Sequence, residues 1–375
     1  MALGVYVHLP FCPYICPYCD FAKWPMRRTA ADDYLEALHA EIDREPEARA
    51  STIFLGGGTP NTYDPATIGN LTRRLRERFG GDAIGEVTIE VNPELVGADD
   101  MRHYVEGGVT RVSVGVQSFV AAEIALLGRK HSHADVERTV ARARAAGITS
   151  ISIDLIFAAP GQTPQTWRSS IDAAIALGVD HVSTYGLTIE EGTPYASWQA
   201  REPRAFLDQD DEAVLYEFAI DALERAGFEH YEISNFARPG HRCAHNENYW
   251  ANGSYIGLGV GAASYRNGER STHTRDLREY VEAVRSGGPI PGNAERLLGA
   301  AAAGEAIMLA LRTAQGVETG PFKERYGLDV REKFSGTIEN LERLGMLEVG
   351  SERLRLTRRG RFVANEFCGA FLSFE

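Results

Sequence analysis

Three cysteines near the N-terminus have types and spacing suited to binding iron. Cys12, Cys16 and Cys19 form a C-x3-C-x2-C pattern in H-L-P-F-C-P-Y-I-C-P-Y-C-D-F, directly after a strand-like run. Four extended residues reach only about 13 to 14 Å, so the segment must curl around one small centre, helped by Pro13 and Pro17. Three thiolates can hold three irons of a 4Fe-4S cluster, which leaves the fourth iron open to a chelating ligand.

Zinc is the alternative metal for these thiolates. His8 stands close enough in sequence to complete a Cys3His set. Zinc sites, however, usually draw four ligands from two well-separated pairs. The compact spacing therefore favours the iron-sulfur cluster.

A glycine-rich motif closes the second strand-like run. Gly56, Gly57 and Gly58 precede Thr59 and Pro60. Consecutive glycines let the backbone approach a polar ligand closely, although a tight strand-to-helix turn explains them equally well. Beside a cluster-binding loop, the motif becomes a candidate for holding the amino-acid end of a ligand.

Polar residues interrupt three otherwise apolar runs. Glu90 lies in V-T-I-E-V-N-P, Gln117 in V-S-V-G-V-Q-S-F and Asp154 in I-S-I-D-L-I-F. One such group is often a paired core residue, but three at comparable strand positions can line one cavity and contact ribose, ammonium or adenine groups. Arg129, in L-L-G-R-K-H, follows a helical run and by itself suggests a solvated surface charge.

Alternating strands and helices must position these residues. Because a helical crossover separates each strand from the next, the strands pair in parallel, and ligands bind at their C-terminal ends, where the motifs lie. The sequence thus predicts an α/β fold, an open parallel six-stranded (β/α)6 partial barrel. Its strands are expected at 4–8, 52–55, 87–91, 111–116, 151–156 and 181–187.

The alternating pattern ends near residue 187. An acidic helix at 208–226, an extended stretch at 231–236 and a Gly-rich run at 253–261 indicate an extension packed on the barrel. From about residue 297, helices followed by two short strands are typical of a winged-helix-like α+β domain. We predict a barrel at 1–195, an extension at 196–296 and a C-terminal domain at 297–375.

Composition argues against several classes of partner. The net charge of −13 opposes nucleic-acid binding, despite five arginines between 353 and 361 on the expected wing. No run approaches the roughly 18 apolar residues of a membrane span, and no signal sequence is recognisable. An odd number of cysteines, three of them closely spaced, fits reduced thiols in the cytoplasm, and Cys368 suggests a small core residue.

The barrel region resembles the coproporphyrinogen III oxidase-like branch of the radical S-adenosylmethionine (SAM) proteins. The motifs Y-V-H-L-P-F-C-P-Y-I-C-P-Y-C, G-G-G-T-P, T-I-E-V-N-P, G-V-Q-S-F and I-D-L-I match that branch in order. The resemblance implies a barrel of radical SAM type, with a 4Fe-4S cluster on Cys12, Cys16 and Cys19. It also implies SAM contacts at eight positions, namely Tyr6, Gly57, Gly58, Thr59, Glu90, Gln117, Arg129 and Asp154.

Two members of that branch must be separated, the oxygen-independent coproporphyrinogen III oxidase and the heme chaperone that looks like it. The oxidase typically carries a further cysteine two residues beyond the third, where this chain has Phe21. The segment C-A-H-N-E-N-Y-W, from Cys243 to Trp250, resembles the H-N-x-x-Y-W motif associated with heme binding in the chaperone group. Both features favour the chaperone.

His245 is the heme ligand that this resemblance implies. Imidazole is a common axial ligand of heme iron, Tyr249 and Trp250 are suited to packing against a flat macrocycle, and Cys243 is a candidate second ligand. Without the resemblance, the same residues would indicate a buried hydrogen-bonded histidine and ordinary core aromatics.

The sequence therefore predicts a heme-trafficking chaperone. It would bind a 4Fe-4S cluster, SAM and heme, and pass heme to an acceptor apoprotein, expected to be a membrane-associated protein of the respiratory chain. The alternative is an enzyme that cleaves SAM reductively and decarboxylates coproporphyrinogen III. The barrel permits both, so the sequence leaves enzymatic activity open.

Overall fold

Strands and helices alternate along the first half of the chain in a computed structural model that describes residues 3–364, 367 and 369–372. The strands are β1 (Gly4–Leu9), β2 (Phe11–Cys12), β3 (Trp24–Pro25), β4 (Thr52–Gly57), β5 (Glu86–Val91), β6 (Arg111–Gln117), β7 (Ser150–Phe157) and β8 (His181–Gly186). The helices are α1 (Arg28–Arg44), α2 (Pro65–Phe79), α3 (Asp100–Gly107), α4 (Ala121–Leu126), α5 (His133–Ala146) and α6 (Pro164–Ala176).

The second half is more irregular. It comprises α7 (Pro194–Arg201), α8 (Gln209–Arg225), β9 (Glu229–His230), β10 (Asn235–Ala237), α9 (Ala244–Trp250), β11 (Tyr255–Leu258), β12 (Ala263–Arg266), β13 (Glu269–His273), α10 (Leu277–Ser286) and β14 (Gly292–Arg296). The C-terminal part contains α11 (Ala300–Leu311), β15 (Val317–Glu318), α12 (Thr319–Tyr326), α13 (Val330–Lys333), α14 (Ser335–Arg343), β16 (Leu347–Val349), β17 (Arg353–Leu356) and α15 (Arg358–Phe362).

Six parallel strands form the centre of the molecule. They are hydrogen-bonded in the order β1, β4, β5, β6, β7, β8, as the βα pattern predicts. The sheet extends beyond them on both sides to twelve strands, with β14 and β9 at its two edges. The barrel is therefore partial and open, as expected, within a mixed sheet that is larger than the sequence predicted.

The two extensions differ in direction. β10 pairs antiparallel with β8, whereas β11, in the Gly-rich run, pairs parallel with β1 before β12, β13 and β14 continue antiparallel. The segment expected to pack on the barrel is thus partly built into its sheet. Gly257 lets β12 approach β11 closely, because a Cβ there would collide with the backbone of Ala263 on β12.

The crossover helices cover the outer face of the sheet. In α2 the carboxylate of Asp64 accepts hydrogen bonds from Ala66 N at 3.0 Å and Thr67 N at 3.1 Å, and Pro65 occupies the first helical position. Its apolar face is buried against alternate residues of the strands, such as Ile53. The side chains between them point into the barrel, and many of these are polar.

A second hydrophobic core lies in the C-terminal part, built from α11 to α14 and the sheet β15, β17, β16. This agrees with the predicted helices followed by two short strands. Arg353, Arg355 and Arg358 form ion pairs with carboxylates. Cys368 lies outside the described residues.

The three proposed domain ranges stay a prediction. The division after residue 195 would fall within α7, and the division after residue 296 falls at the end of β14. Among the described residues, no helix is long and apolar enough to cross a membrane.

Candidate functional site

The three cysteines lie on a loop, residues 12–19, at the C-terminal end of β1. Short strands close its stem, since Trp24 N donates to Pro10 O at 2.9 Å and Met26 N donates to Cys12 O at 2.8 Å. Cys12 is buried, whereas Cys16 and Cys19 are half-buried. All three line one cavity of about 510 Å³, which we call the cysteine cavity.

The thiols fit a multi-iron cluster better than a single ion. Within the described ranges, no group of three His, Cys, Asp or Glu side chains converges as the ligands of one ion would. A 4Fe-4S cluster instead takes each thiolate at a different iron. His8 is engaged elsewhere, through Tyr6 OH at 3.0 Å from Nδ1 and Ala22 O at 2.7 Å from Nε2, so the arrangement does not favour the zinc alternative.

Burial keeps the thiols of Cys12 and Cys19 protonated before metal is bound. It raises the pKa of Cys12 to about 11 and also raises the pKa of Cys19. A thiol must lose its proton to ligate iron, so cluster assembly here releases protons.

The glycine motif packs against the stem of the cysteine loop. Gly58 N donates to Leu9 O and Thr59 N donates to Phe11 O, both at 3.0 Å. Gly57 has a φ of +103°, and a Cβ there would collide with the His8 imidazole. The glycines therefore form a tight turn, which was one of the two interpretations. Gly57, Gly58 and Thr59 also line the cysteine cavity.

Two half-buried carboxyl groups face this cavity. Glu90 accepts a hydrogen bond from Gly57 N at 3.1 Å, and burial together with the nearby Asp154 raises its pKa to about 7. Asp154 accepts from Ser113 at 2.8 Å and Ser152 at 3.4 Å, and burial raises its pKa as well. Such a pair favours a ligand that brings positive charge.

A backbone irregularity places Gln117 in the same cavity. The pairing of β6 with β7 shifts register between Gly115 and Gln117, and Gln117 has a φ of 66°. A residue without the freedom of glycine seldom adopts this conformation, which is concentrated at functional sites.

Arg129 lines the cysteine cavity. Its position in the sequence had suggested an exposed surface charge instead. Its guanidinium donates to Asn92 Oδ1 at 2.7 Å and to Gly115 O at 2.5 Å, and it lies 3.9 Å from Cys16 Sγ. Asn92 is held by a reciprocal pair of 2.9 Å hydrogen bonds with Asn61. Arg129 therefore connects the cysteine loop to the ends of β5 and β6.

The cavity gathers most of the residues that the family resemblance implied. Tyr6 is the exception, since it is not part of the cavity lining and instead stacks on Phe54. Sequence reasoning missed the lining residues Asn92 and Tyr185. The alternation of side chains along a strand could have identified them, because Asn92 follows Glu90 by two residues and Tyr185 lies in the strand predicted at 181–187. The predicted residues that line the cavity are Cys12, Cys16, Cys19, Gly57, Gly58, Thr59, Glu90, Gln117, Arg129 and Asp154.

His245 lies at the other end of the barrel, on α9. Its Nδ1 is 2.8 Å from Thr52 Oγ1, at the start of β4, and its Nε2 is 2.9 Å from Tyr249 OH. The ring is buried, which lowers its pKa to about 3, so the imidazole is neutral at physiological pH. Both nitrogens are occupied, so an axial bond to heme iron requires one hydrogen bond to be released.

Glu86 on β5 fixes the start of α9. Its carboxylate accepts hydrogen bonds from Ala244 N at 3.1 Å and His245 N at 3.0 Å, and from the Cys243 thiol at 3.5 Å. Cys243 is buried, and burial raises its pKa to about 12. Trp250, at the end of the helix, packs against Arg312, whose guanidinium lies 5.0 Å from the ring centroid.

A cysteine loop at the C-terminal end of the first strand of an open βα barrel defines the radical SAM class of proteins. The family model of the radical SAM superfamily matches residues 6–174, and that of the HemN C-terminal domain matches residues 299–363. Coproporphyrinogen III oxidase (HemN) from Escherichia coli superimposes with a TM-score of 0.87 at 25% identity, covering 100% of this chain and 91% of that one.

Full-length relatives narrow the assignment. Heme chaperone HemW of Bacillus subtilis (strain 168) is 33% identical over 98% of this chain and 99% of its own length. The protein of the same name from Escherichia coli (strain K12) is 35% identical over 75% of this chain and 76% of its own. This chain belongs to the heme chaperone HemW family of radical SAM proteins.

Proposed function

We propose that the protein is a heme chaperone that binds a 4Fe-4S cluster, SAM and heme and delivers heme to acceptor apoproteins. One observation carries the proposal: a cysteine-lined cavity and a histidine in an H-N-x-x-Y-W helix occupy opposite ends of one barrel. The relatives of this chain that bear the chaperone name support the same function.

Cys12, Cys16 and Cys19 would hold the 4Fe-4S cluster, with SAM beside it. When bound, the cluster would supply an open iron for the amino-acid end of SAM, and its redox chemistry would allow reductive cleavage of SAM. Glu90 and Asp154 face the part of the cavity where the positive charges of SAM would be stabilised. Arg129 fixes Asn92 and the neighbourhood of Cys16, and so preserves the shape of the site.

His245 would be the axial ligand of heme. It is neutral, and the aromatic rings of Phe54 and Tyr249 lie 5.3 Å and 4.8 Å from its centroid. Cys243 is a weaker candidate, because its thiol is bonded to Glu86 and burial raises its pKa.

The acceptors would be heme apoproteins of the respiratory chain, including membrane-associated ones, and the protein would act in the cytoplasm. The four described cysteines are free thiols, which fits a reducing compartment. Transfer to such acceptors requires a heme affinity that is moderate, so that heme can leave.

Anaerobically reconstituted protein tests the proposal. We expect stoichiometric iron and sulfide, SAM binding, and transfer of bound heme to an apoprotein acceptor, with His245→Ala losing the heme spectrum. Conversion of coproporphyrinogen III by the reduced, SAM-loaded protein, without any heme transfer, would establish the oxidase alternative instead.

A further inference from the structure

The hydrogen-bond partners of the two His245 ring nitrogens differ in how deeply they are buried. Thr52, the partner of Nδ1, is 3% exposed and is the first residue of a central strand between β1 and β5. Tyr249, the partner of Nε2, is half-buried and lies one turn further along the same short helix as His245. Tyr249 is therefore the partner that can be displaced without disturbing a central strand.

The imidazole is packed closely on two of its sides. A Cβ added at Gly4 on β1 would lie only 3.1 Å from His245 Cε1, so the strand backbone packs directly against the ring. Phe54 covers another side, with its centroid 5.3 Å away. A ligand must therefore approach His245 where it stands, from the side of Nε2.

Aromatic rings lead outward from that side. The Tyr249 ring packs edge-on against Tyr255 at 4.6 Å between centroids, and Tyr255 lies 6.3 Å from Tyr265. All three rings are half-buried. A flat apolar macrocycle that displaced Tyr249 would meet aromatic surface along this route.

We propose that Tyr249 is a displaceable cap on the heme ligand and that Thr52 is the residue that orients it. The Nδ1–H of His245 donates to Thr52 Oγ1, which directs the Nε2 lone pair at the Tyr249 hydroxyl when heme is absent. On heme binding, the O–H···Nε2 hydrogen bond breaks and an iron–Nε2 bond forms. No proton leaves the imidazole, and no electron is transferred.

This arrangement would keep the heme affinity moderate. Each heme must compete with a preformed intramolecular hydrogen bond, and on release the tyrosine hydroxyl satisfies the nitrogen again. A metal-bound histidine is usually held through its other nitrogen by an oxygen that sets its tautomer, which is the position of Thr52. The inference rests on the proposed function, because it assumes that His245 ligates heme.

Titration of the full-length protein with ferric heme tests both residues. Tyr249→Phe keeps the ring and removes the hydroxyl, so we expect about two- to tenfold tighter binding and slower release, with an unchanged Soret band. Thr52→Val should weaken binding about tenfold or more and shift the Soret band, and Thr52→Ser should restore both. Thermal unfolding of each variant monitors the fold.

Matched controls separate these effects from general loss of hydroxyl groups. Tyr104→Phe removes a buried hydroxyl that has no hydrogen-bond partner in the described part of the chain, and Thr72→Val removes one that donates to Ile68 O within α2. Neither should change heme affinity.

The outcomes distinguish this inference from the function on which it rests. If His245→Ala loses heme but Tyr249→Phe binds it no more tightly than the unmodified protein, the cap is wrong and the chaperone stands. If His245→Ala keeps the affinity and the spectrum, heme binds elsewhere, and both the cap and the proposed ligand are overturned.

Discussion

Glu90 and Asp154 are two carboxyl groups on one wall of the cysteine cavity, and the groups that hydrogen-bond to them are uncharged. Gly57 N contacts Glu90, and serine hydroxyls surround Asp154. A protein that buries two acids in this way destabilises their ionised forms unless a cationic ligand compensates. SAM carries a sulfonium and an ammonium, so its binding should be coupled to the ionisation of this pair.

The affinity for SAM should therefore depend on pH. The pKa of Glu90 is raised to about 7, and the bound cation favours the ionised form, so affinity should rise as pH increases toward and through about 7 and then level off. Glu90→Gln should flatten this rise and weaken binding at high pH by about 1.5 to 3 kcal/mol. Calorimetric titration with SAM across the pH range measures the affinity, and Glu77→Gln, at an exposed glutamate, is the control. An equally steep rise of affinity with pH in Glu90→Gln would contradict the coupling.

Glu90 also makes the stability of the protein depend on pH when SAM is absent. Between the ordinary glutamate pKa and about 7, the folded protein keeps a proton on Glu90 that the unfolded chain has released. The free energy of unfolding contributed by Glu90 therefore falls as pH rises through that interval. Added SAM should offset this loss.

At the scale of elements, the turn after β4 sets how closely the glycine motif and the cysteine loop approach. Gly57 has a positive φ, and a Cβ there would collide with the His8 ring. The nitrogens of that ring connect Tyr6 on β1 to Ala22, three residues after the cysteine loop. A side chain at position 57 would push against the His8 ring and so disturb the cysteine loop. The motif is thus required for the loop even before any ligand binds.

Gly57→Ala should both destabilise the protein and lower its iron content. Backbone strain costs about 1 to 2 kcal/mol and overpacking against His8 adds about 1 to 3 kcal/mol. Gly81→Ala is the matched control, because Gly81 also has a positive φ, of +58°, but a Cβ there would meet no atom of the described residues within 4 Å. Urea unfolding and iron analysis of both variants decide the matter, and equal losses in both would show that the His8 contact is unimportant.

Local sequence patterns could predict the elements but not all of their partners. Apolar runs and glycine turns located the six central strands, and cysteine spacing located the loop. The pairing of β11 with β1 joins segments far apart in the chain, and periodicity carries no information on such pairing. For the same reason Thr52 could not be predicted as a partner of His245, nor Asn92 as a partner of Arg129.

At the scale of the whole molecule, the C-terminal part docks on the end of α9 that carries Trp250. Arg325 on α12 donates to Ala251 O at 2.9 Å and to Asn252 O at 2.5 Å. Tyr326 OH accepts from Asn252 Nδ2 at 3.4 Å, and Arg312 covers Trp250. Glu86 holds one end of the H-N-x-x-Y-W helix, and the C-terminal part holds the other.

If heme binds His245 as proposed, the C-terminal part would restrain heme access. The Tyr249 side chain would be displaced more easily when the short helix that carries it loosens, and contacts at the C-terminal end of the helix oppose that loosening. Arg325→Ala should lower the free energy of local opening by about 1 to 3 kcal/mol, because two charged hydrogen bonds are lost. We expect faster amide exchange across residues 244–252 and faster heme uptake.

Arg331 provides the matched control for this prediction. It also donates to two backbone carbonyls, of Gly350 and Ser351, but both lie within the C-terminal part. Arg331→Ala should therefore destabilise that part without changing amide exchange in α9. If both variants accelerate exchange in α9 equally, the restraint is general domain stability and not the Arg325 contact; if neither does, α9 opens independently of the C-terminal part.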